Sequence, residues 1–367
     1  MKTFKKFLSG IVALSLCMSS SAVTAGALTT TYHKGDVDGN NVLNLIDLTY
    51  LRNFISGNRG SVNNRLTQRL DVNLDGVISE RDVEELSEIL LNDDSTTLYN
   101  YETVSNDVPQ STNMSYQKYN AQTGASIGTA YTLQHVNSVP DYSSTYNIIG
   151  NDTREIDYYN PSVVKINSSV GTFTGFIVDS HTILTAAHCL VDKQTGELAS
   201  NLSYTLYAFN GSAVWGAKSA VSYHIPVNFI QSNYSSSYDY ALITVAEDLS
   251  NKISFDLGVA RKSLNNKNED IYVTGYSNEE NPNRPELTNE IVTGSGKLYS
   301  NKVTANLIYY NTDADEGESG APVYVVSADG KKTVIGIHCS YSPSVSSNYC
   351  KSIDTNVLQF VFNNPNL

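Results

Sequence analysis

Three residues of this chain have the types needed for acyl transfer by an activated hydroxyl, in the order base, carboxylate, nucleophile. His188 ends the run Leu184-Thr-Ala-Ala-His188-Cys189, Asp239 stands in Tyr238-Asp239-Tyr-Ala-Leu-Ile-Thr-Val245, and Ser319 lies in Glu316-Gly317-Glu-Ser319-Gly320-Ala-Pro322. A serine hydroxyl attacks only when a base takes its proton, and the base works only when a carboxylate fixes its orientation. Glycines beside the serine let the N–H groups of Gly317 and Ser319 meet the developing oxyanion, at about 3–4 kcal/mol per donor in related chemistry. Each motif alone is an ordinary one: a packed histidine, a strand-entry aspartate, a glycine turn. In this order and with these flanks they predict a catalytic triad of His188, Asp239 and Ser319, which needs no cofactor.

A second group of residues has the spacing of a calcium loop, and it occurs twice. The first copy runs Asp36-Val-Asp38-Gly-Asn40-Asn-Val42-Leu-Asn44-Leu-Ile-Asp47, and the second Asp71-Val-Asn73-Leu-Asp75-Gly-Val77-Ile-Ser79-Glu-Arg-Asp82. Oxygen-bearing side chains fall at positions 1, 3, 5, 9 and 12, and the backbone carbonyls of Val42 and Val77 supply position 7. Gly76 makes the sharp turn in one copy and Asn41 in the other, since both tolerate left-handed backbone. Both loops end in Asp rather than the longer Glu, which predicts weaker closure around each of two calcium ions.

These residues must be positioned by elements, and the patterns predict which. Runs such as Ser162–Ile166, Thr174–Val178, Ala241–Val245, Ile271–Thr274 and Thr333–Ile337 alternate with polar turns, the signature of an all-β sandwich or barrel pair. A strand-turn-strand ahead of His188 would present the imidazole at a loop edge, and Asp239 would sit at the mouth of an apolar strand. Each calcium loop leads into an amphipathic helical pattern. Residues 94–147 are rich in Ser, Thr, Asn and Tyr and read as a linker or pro-segment. Residues 1–27 read as a signal peptide: Lys2, Lys5 and Lys6, then an apolar stretch from Phe7 to Met18, then Ala25-Gly26-Ala27.

Composition limits the alternatives. At 367 residues, 40% hydrophobic and 17% charged, the chain is globular rather than disordered. A net charge of -13 disfavours nucleic acid as a partner and suits calcium. No other segment is apolar for long enough to cross a bilayer, so no membrane anchor is expected. Once the leader is removed, Cys189, Cys339 and Cys350 remain. This odd number leaves at least one thiol free; Cys339 and Cys350 are near enough in sequence to close a loop. No histidine–cysteine cluster suggests zinc.

The paired loops of residues 34–93 resemble a dockerin module, which implies a calcium-dependent plug for a cohesin domain on an extracellular, cellulosome-type scaffold. In that family loop positions 10 and 11 contact cohesin. Here they are Leu45-Ile46 in one copy and Glu80-Arg81 in the other, so unlike that one binding orientation is expected to be preferred.

Residues 148–367 resemble the chymotrypsin-like serine proteases, and more narrowly the secreted glutamyl endopeptidases of Gram-positive bacteria. The resemblance rests on the triad and on Ile148-Ile-Gly-Asn-Asp152, Ile166-Asn-Ser-Ser-Val-Gly171, Tyr223-His-Ile-Pro226 and Val273-Thr-Gly-Tyr276. It implies two packed six-stranded antiparallel β-barrels with the triad between them, and cleavage of peptide bonds after Glu (or Asp). By the same resemblance His338 helps to bind the substrate carboxylate, as a cation or a hydrogen-bond donor. The chain departs from the family at Ala314, where a Thr or Ser is usual. Asp313, Asp315, Glu316 and Glu318 would repel an acidic side chain, and Asp313 lies where trypsin-like enzymes carry the carboxylate that selects Arg or Lys. That alternative specificity therefore stands beside the first, as does a scaffold-bound interaction module that no longer cuts. Ile148 resembles the family's mature N-terminus, which implies a zymogen whose new α-amino group helps to shape the substrate pocket.

Overall fold

The computed structural model describes residues 29–37, 43–57, 69–92, 98–102, 114–128, 148–149, 151–157, 160–207, 213–261, 263–264, 267–278, 283–304 and 306–363. The expected leader, and Asp38, Asn40 and Val42 of the first calcium loop, lie outside them.

Among its described residues the N-terminal part has two short helices, besides a helical end at Arg69 and Leu70, and each of the two is capped by the loop before it. The side chain of Asn44 accepts from Ile46 N while Asp47 accepts from Asn44 N, a reciprocal capping box that starts helix α1 (Leu45–Ile55). Helix α2 (Glu80–Asn92) repeats the device: Ser79 N donates to the Asp82 carboxylate and Arg81 N to Ser79 Oγ. Positions 9 and 12 of each loop thus serve a helix end as well as the loop. Before and after this pair, strands β1 (Thr29–His33) and β3 (Leu98–Glu102) form a two-stranded ribbon, and β2 (Val77–Ile78) lies within the second loop.

The rest is β-structure in two sheets, as the alternating apolar runs predict. The first is built from β4 (Tyr116–Asn120), β5 (Ser126–Ile127), β7 (Val163–Asn167), β8 (Thr172–Asp179), β9 (Thr182–Thr185), β10 (Ser203–Tyr207), β11 (Ala213–Ser219), β12 (Ser222–Pro226) and β13 (Ala241–Thr244). Its order is β11-β10-β7-β8-β9-β13-β12-β4-β5. Only Ala220 and Val221 separate β11 from β12; their N–H groups bond to Leu202 O, beside β10, and to Thr244 O on β13. The sheet therefore returns on itself through one bent strand.

The second sheet is a closed barrel: β20 (Lys332–Ser342), β19 (Pro322–Val326), β16 (Asp270–Tyr276), β17 (Ile291–Val303), β18 (Leu307–Tyr310) and β21 (Ser347–Ser352), which pairs again with β20. Short strands β6 (Glu155–Ile156) and β14 (Phe255–Leu257) attach to β17 and β20. A five-residue helix α3 (Val227–Gln231) follows β12, and α4 (Thr355–Asn363) ends the described chain.

Two features depart from the expected layout. Residues 116–127, read from sequence as part of a linker or pro-segment, extend the first sheet: β4 pairs with β12 along its length, and Tyr116 stacks on Phe360 of α4 at 3.9 Å. The calcium-loop region is also not held apart. Strand β15 (Val259–Ala260) pairs antiparallel with β2, and Leu51, Phe54 and Ile55 share one buried cluster with Val357, Leu358 and Phe360 of α4. Apolar surface that a separate module would leave in water is buried here between the two parts.

Candidate active site and calcium loops

His188 sits on a single turn, Ala187–Cys189, at the end of β9, and Asp239 directly precedes β13, the neighbour of β9. Sheet pairing thus brings two residues far apart in sequence into contact. The Asp239 carboxylate accepts the backbone N–H of His188 at 2.9 Å and faces its Nδ1 at 2.8 Å. This two-point grip places the imidazole proton on Nδ1 and makes Nε2, which lies 3.9 Å from Cys189 Sγ, the nitrogen that can take a proton. Asp239 is 1% exposed. Burial alone would lower the His188 pKa, but the attraction of Asp239 outweighs it and the net direction is upward. The Asp239 carboxyl is held below its ordinary range by His188 against the opposing effect of burial.

Ser319 comes from the second barrel, in the loop ahead of β19. Thr174 on β8 holds that loop at two points, its N–H donating to Ser319 O and its Oγ1 to Gly317 O at 2.7 Å, and Oγ1 also accepts from Tyr276 N of β16. Gly320 packs so tightly on Thr174 O, Thr185 and Ala186 that the loop lies against the residues leading to His188. Ser319 Oγ donates to Cys339 O at 3.5 Å. Within the loop Glu318, Gly320 and Ala321 donate their N–H groups to Asp315, His338 and Glu318 carbonyls. Gly317 and Ser319, the expected oxyanion donors, do not donate to any described residue. Gly317 has φ +90, and a side chain there would meet Tyr276 O at 2.4 Å.

The acidic run before the nucleophile is arranged differently from what its sequence suggests. Asp313, expected as a substrate-facing carboxylate, is 1% exposed, and its oxygens accept from Ile149 N at 2.7 Å, Thr153 N at 2.8 Å and Thr153 Oγ1 at 2.7 Å. It anchors the segment after residue 148. Asp315 and Glu318 are buried against Arg154, whose guanidinium lies 3.0 and 2.8 Å from them and is also bonded to Asp152. Burial nevertheless pushes the Glu318 carboxyl up to about 8, against the pull of Arg154. The expected repulsion of acidic substrates is thus reduced to the exposed Glu316. Sequence reading missed Arg154.

His338 lies on β20, where it is 4% exposed and hydrogen-bonded through Nδ1 to Tyr310 OH at 2.6 Å. Burial, reinforced by the neighbouring His188, lowers its pKa to about 3. Burial therefore favours the neutral imidazole at His338 over the cationic form that the sequence also allowed. Cys189, Cys339 and Cys350 are all buried free thiols, so the 339–350 loop is not closed by a disulfide.

The second calcium loop has the turn that its sequence requires, with Gly76 at φ +93. Asn73 Oδ1 accepts from Asp75 N, Asp75 Oδ1 from Val77 N, and the Asp82 carboxylate from Asn73 N and Ser79 N. Asp71 and Asp82 are both buried, and burial together with Asp71 raises the Asp82 pKa well above normal. Crowded, buried, all-oxygen acidic groups are the chemistry a hard divalent cation satisfies. The first-position carboxylates are matched: Asp36 meets Arg69 at 2.9 Å and Asp71 meets Arg261 at 2.8 Å. Among the described residues no three His, Cys, Asp or Glu side chains close on one point.

Comparison with known proteins agrees with both halves. The family profile described as Trypsin matches residues 148–361, and that of the dockerin type I domain matches residues 34–91. A glutamyl endopeptidase of Bacillus licheniformis is 24% identical over 193 residues, covering 50% of this chain and 57% of that protein. Human serine protease 23 is 26% identical over 204 residues, covering 50% of each. The chain thus spans about half the length of the curated relatives it matches. Among solved structures, a Glu endopeptidase in complex with MPD has a TM-score of 0.48 at 19% identity, covering 59% of this chain and 97% of its own. The Anisep protease of Arthrobacter nicotinovorans has a TM-score of 0.44 at 20% identity, covering 57% and 97%. With its profile match across more than half the sequence, this chain belongs to the trypsin family of serine proteases, joined to a dockerin type I domain on its N-terminal side.

Proposed function

We propose that this protein is a secreted endopeptidase that cuts after glutamate, or aspartate, through His188, Asp239 and Ser319. The observation that carries the reading is the two-point grip of Asp239 on His188, beside a serine loop with two unengaged N–H donors. In the first step His188 Nε2 takes the Ser319 proton as Oγ bonds to the substrate carbonyl carbon. The carbonyl oxygen becomes an oxyanion, met by Gly317 N and Ser319 N. His188 then returns the proton to the leaving amine, which departs and leaves an acyl-enzyme. Water repeats the sequence and frees the acid.

Glutamate preference is supported by neutral His338. If Tyr310 OH donates to Nδ1, the ring carries its proton on Nε2 and offers it to a substrate carboxylate. Cleavage after Arg or Lys is disfavoured because Asp313 is already hydrogen-bonded to Ile149 and Thr153.

On the dockerin side, Asp36, Asp38, Asn40, Val42, Asn44 and Asp47 of one loop and Asp71, Asn73, Asp75, Val77, Ser79 and Asp82 of the other would hold calcium. The ions supply rigidity to the module, which would attach the enzyme to a cohesin on an extracellular scaffold.

The test is digestion of a mixed peptide pool, mapped by mass spectrometry, with Ser319→Ala in parallel. Cuts after Glu that vanish in the variant support the reading. Cuts after Arg or Lys would move specificity back to Asp313, and no cuts at all would favour an interaction module that has lost catalysis.

A further inference from the structure

The two calcium-loop repeats are alike in sequence but differently placed in the molecule. In the first, Leu45 is 70% exposed and Ile46 53% exposed at the start of α1, an unusual surface position for two adjacent large apolar side chains. In the second, the matching pair is Glu80 and Arg81; Arg81 meets Asp75 of its own loop and Glu80 has Arg52 of α1 within electrostatic reach, and charges of the protease lie beside both. Glu84, one turn along α2, is ion-paired with Lys331; Asp256 and Lys331 lie within electrostatic reach of Glu80, and Arg81 within reach of Asp329.

Below these charges the contact becomes a built seam. Val77 and Ile78 pair with Ala260 and Val259, and Arg261 N donates to Gly76 O at 2.8 Å. Ile78 is 0% and Val259 1% exposed. A Cβ added at Gly258 would stand 2.7 Å from Val77 Cγ1, and one at Gly76 2.9 Å from Leu264 N. The backbones meet at a distance that only glycine permits. Arg261 reaches on to Asp71, the first ligand position of the second loop, and so orients that carboxylate from the protease side.

We infer that the second repeat is the dockerin's docking surface for its own protease, leaving the first repeat, with Leu45 and Ile46 at its centre, as the face for a cohesin. This rests on reading residues 34–93 as a cohesin-binding module. It adds a structural cause for one binding orientation: Glu80 itself is exposed, but the loop beneath it is paired with β15 and α2 is flanked by the 327–332 turn, which narrows access to that face. Cohesin contacts spread equally over both repeats would have to open the seam first.

The experiment uses full-length Ser319→Ala protein in calcium and a type I cohesin domain as the probe, with two paired variants. Leu45→Asp with Ile46→Asp is expected to weaken binding by about 100-fold or more, as losses at apolar anchors do. Glu80→Ala with Arg81→Ala is expected to leave the Kd within about twofold, the usual effect of surface changes outside an interface. Equal weakening by both pairs would overturn the inference. Hydrogen exchange in the same protein without cohesin tests the seam itself. Slow exchange at Ile78 and Val259 supports it, and exchange at open-loop rates overturns it. If the cohesin does not bind at all, the cohesin reading fails for this probe, and the exchange result still decides whether the second repeat is docked.

Discussion

At the scale of single residues, the site depends on carboxylates given opposite tasks by their surroundings. Asp239 orients His188 and favours its charged form, so the acid limb of kcat/KM should lie above the ordinary imidazole value of about 6.5. The sign follows from the role: only neutral His188 can accept the serine proton, so activity rises as pH passes upward through its pKa. Asp239→Asn should lower kcat by about 10⁴-fold, with an unchanged fold by circular dichroism. His338 is already neutral, so from pH 5 to 9 its titration should not alter the preference for Glu over Gln substrates. His338→Leu should reduce kcat/KM for Glu substrates by about 10- to 150-fold, the value of a hydrogen bond to a charged group. Arg154→Met would leave Glu318 and Asp315 buried without their cation and should cost about 3–5 kcal/mol in urea unfolding. Glu318→Gln, which keeps shape and removes charge, should cost much less.

At the scale of elements, the strands could be read from sequence and the partners of the segments between them could not. The five apolar runs singled out as strands match β7, β8, β13, β16 and β20 to within one residue at an end, because short apolar runs bounded by turns record strands buried along most of their length. The three residues proposed as the triad stand at strand ends: His188 follows β9, Asp239 precedes β13 and Ser319 precedes β19. Residues 114–128 were not legible. A strand such as Tyr116–Asn120, polar on one side, looks like a linker until its pairing with β12 and the stacking of Tyr116 on Phe360 are known. The fates of Asp313 and Glu318 were hidden similarly, since a charged residue's partner is set by tertiary contact rather than spacing. A chain beginning at Ile148 would lose β4 and expose an edge of the first sheet. Its unfolding midpoint in urea should fall below that of the full chain, and its tendency to aggregate should rise.

At the scale of the whole molecule, the dockerin and the protease share a buried cluster that runs from Leu51 and Phe54 to Val357 and Phe360. Calcium that binds only the folded loops stabilises whatever unfolds with them. Scanning calorimetry should therefore show one transition for both parts, moving to lower temperature on addition of EGTA. A separate low-temperature dockerin transition would show the two to be uncoupled. Cleavage before Ile148 would not by itself release the protease, because the pairing of β2 with β15 and of β4 with β12 does not depend on that peptide bond. The same seam governs reach. A leash of about fifty flexible residues would let a scaffold-bound cleft wander roughly 40 Å from its attachment point. Packed as it is, the cleft would turn with the plug, and on the proposed scaffold its field of action would be set by where that scaffold points it.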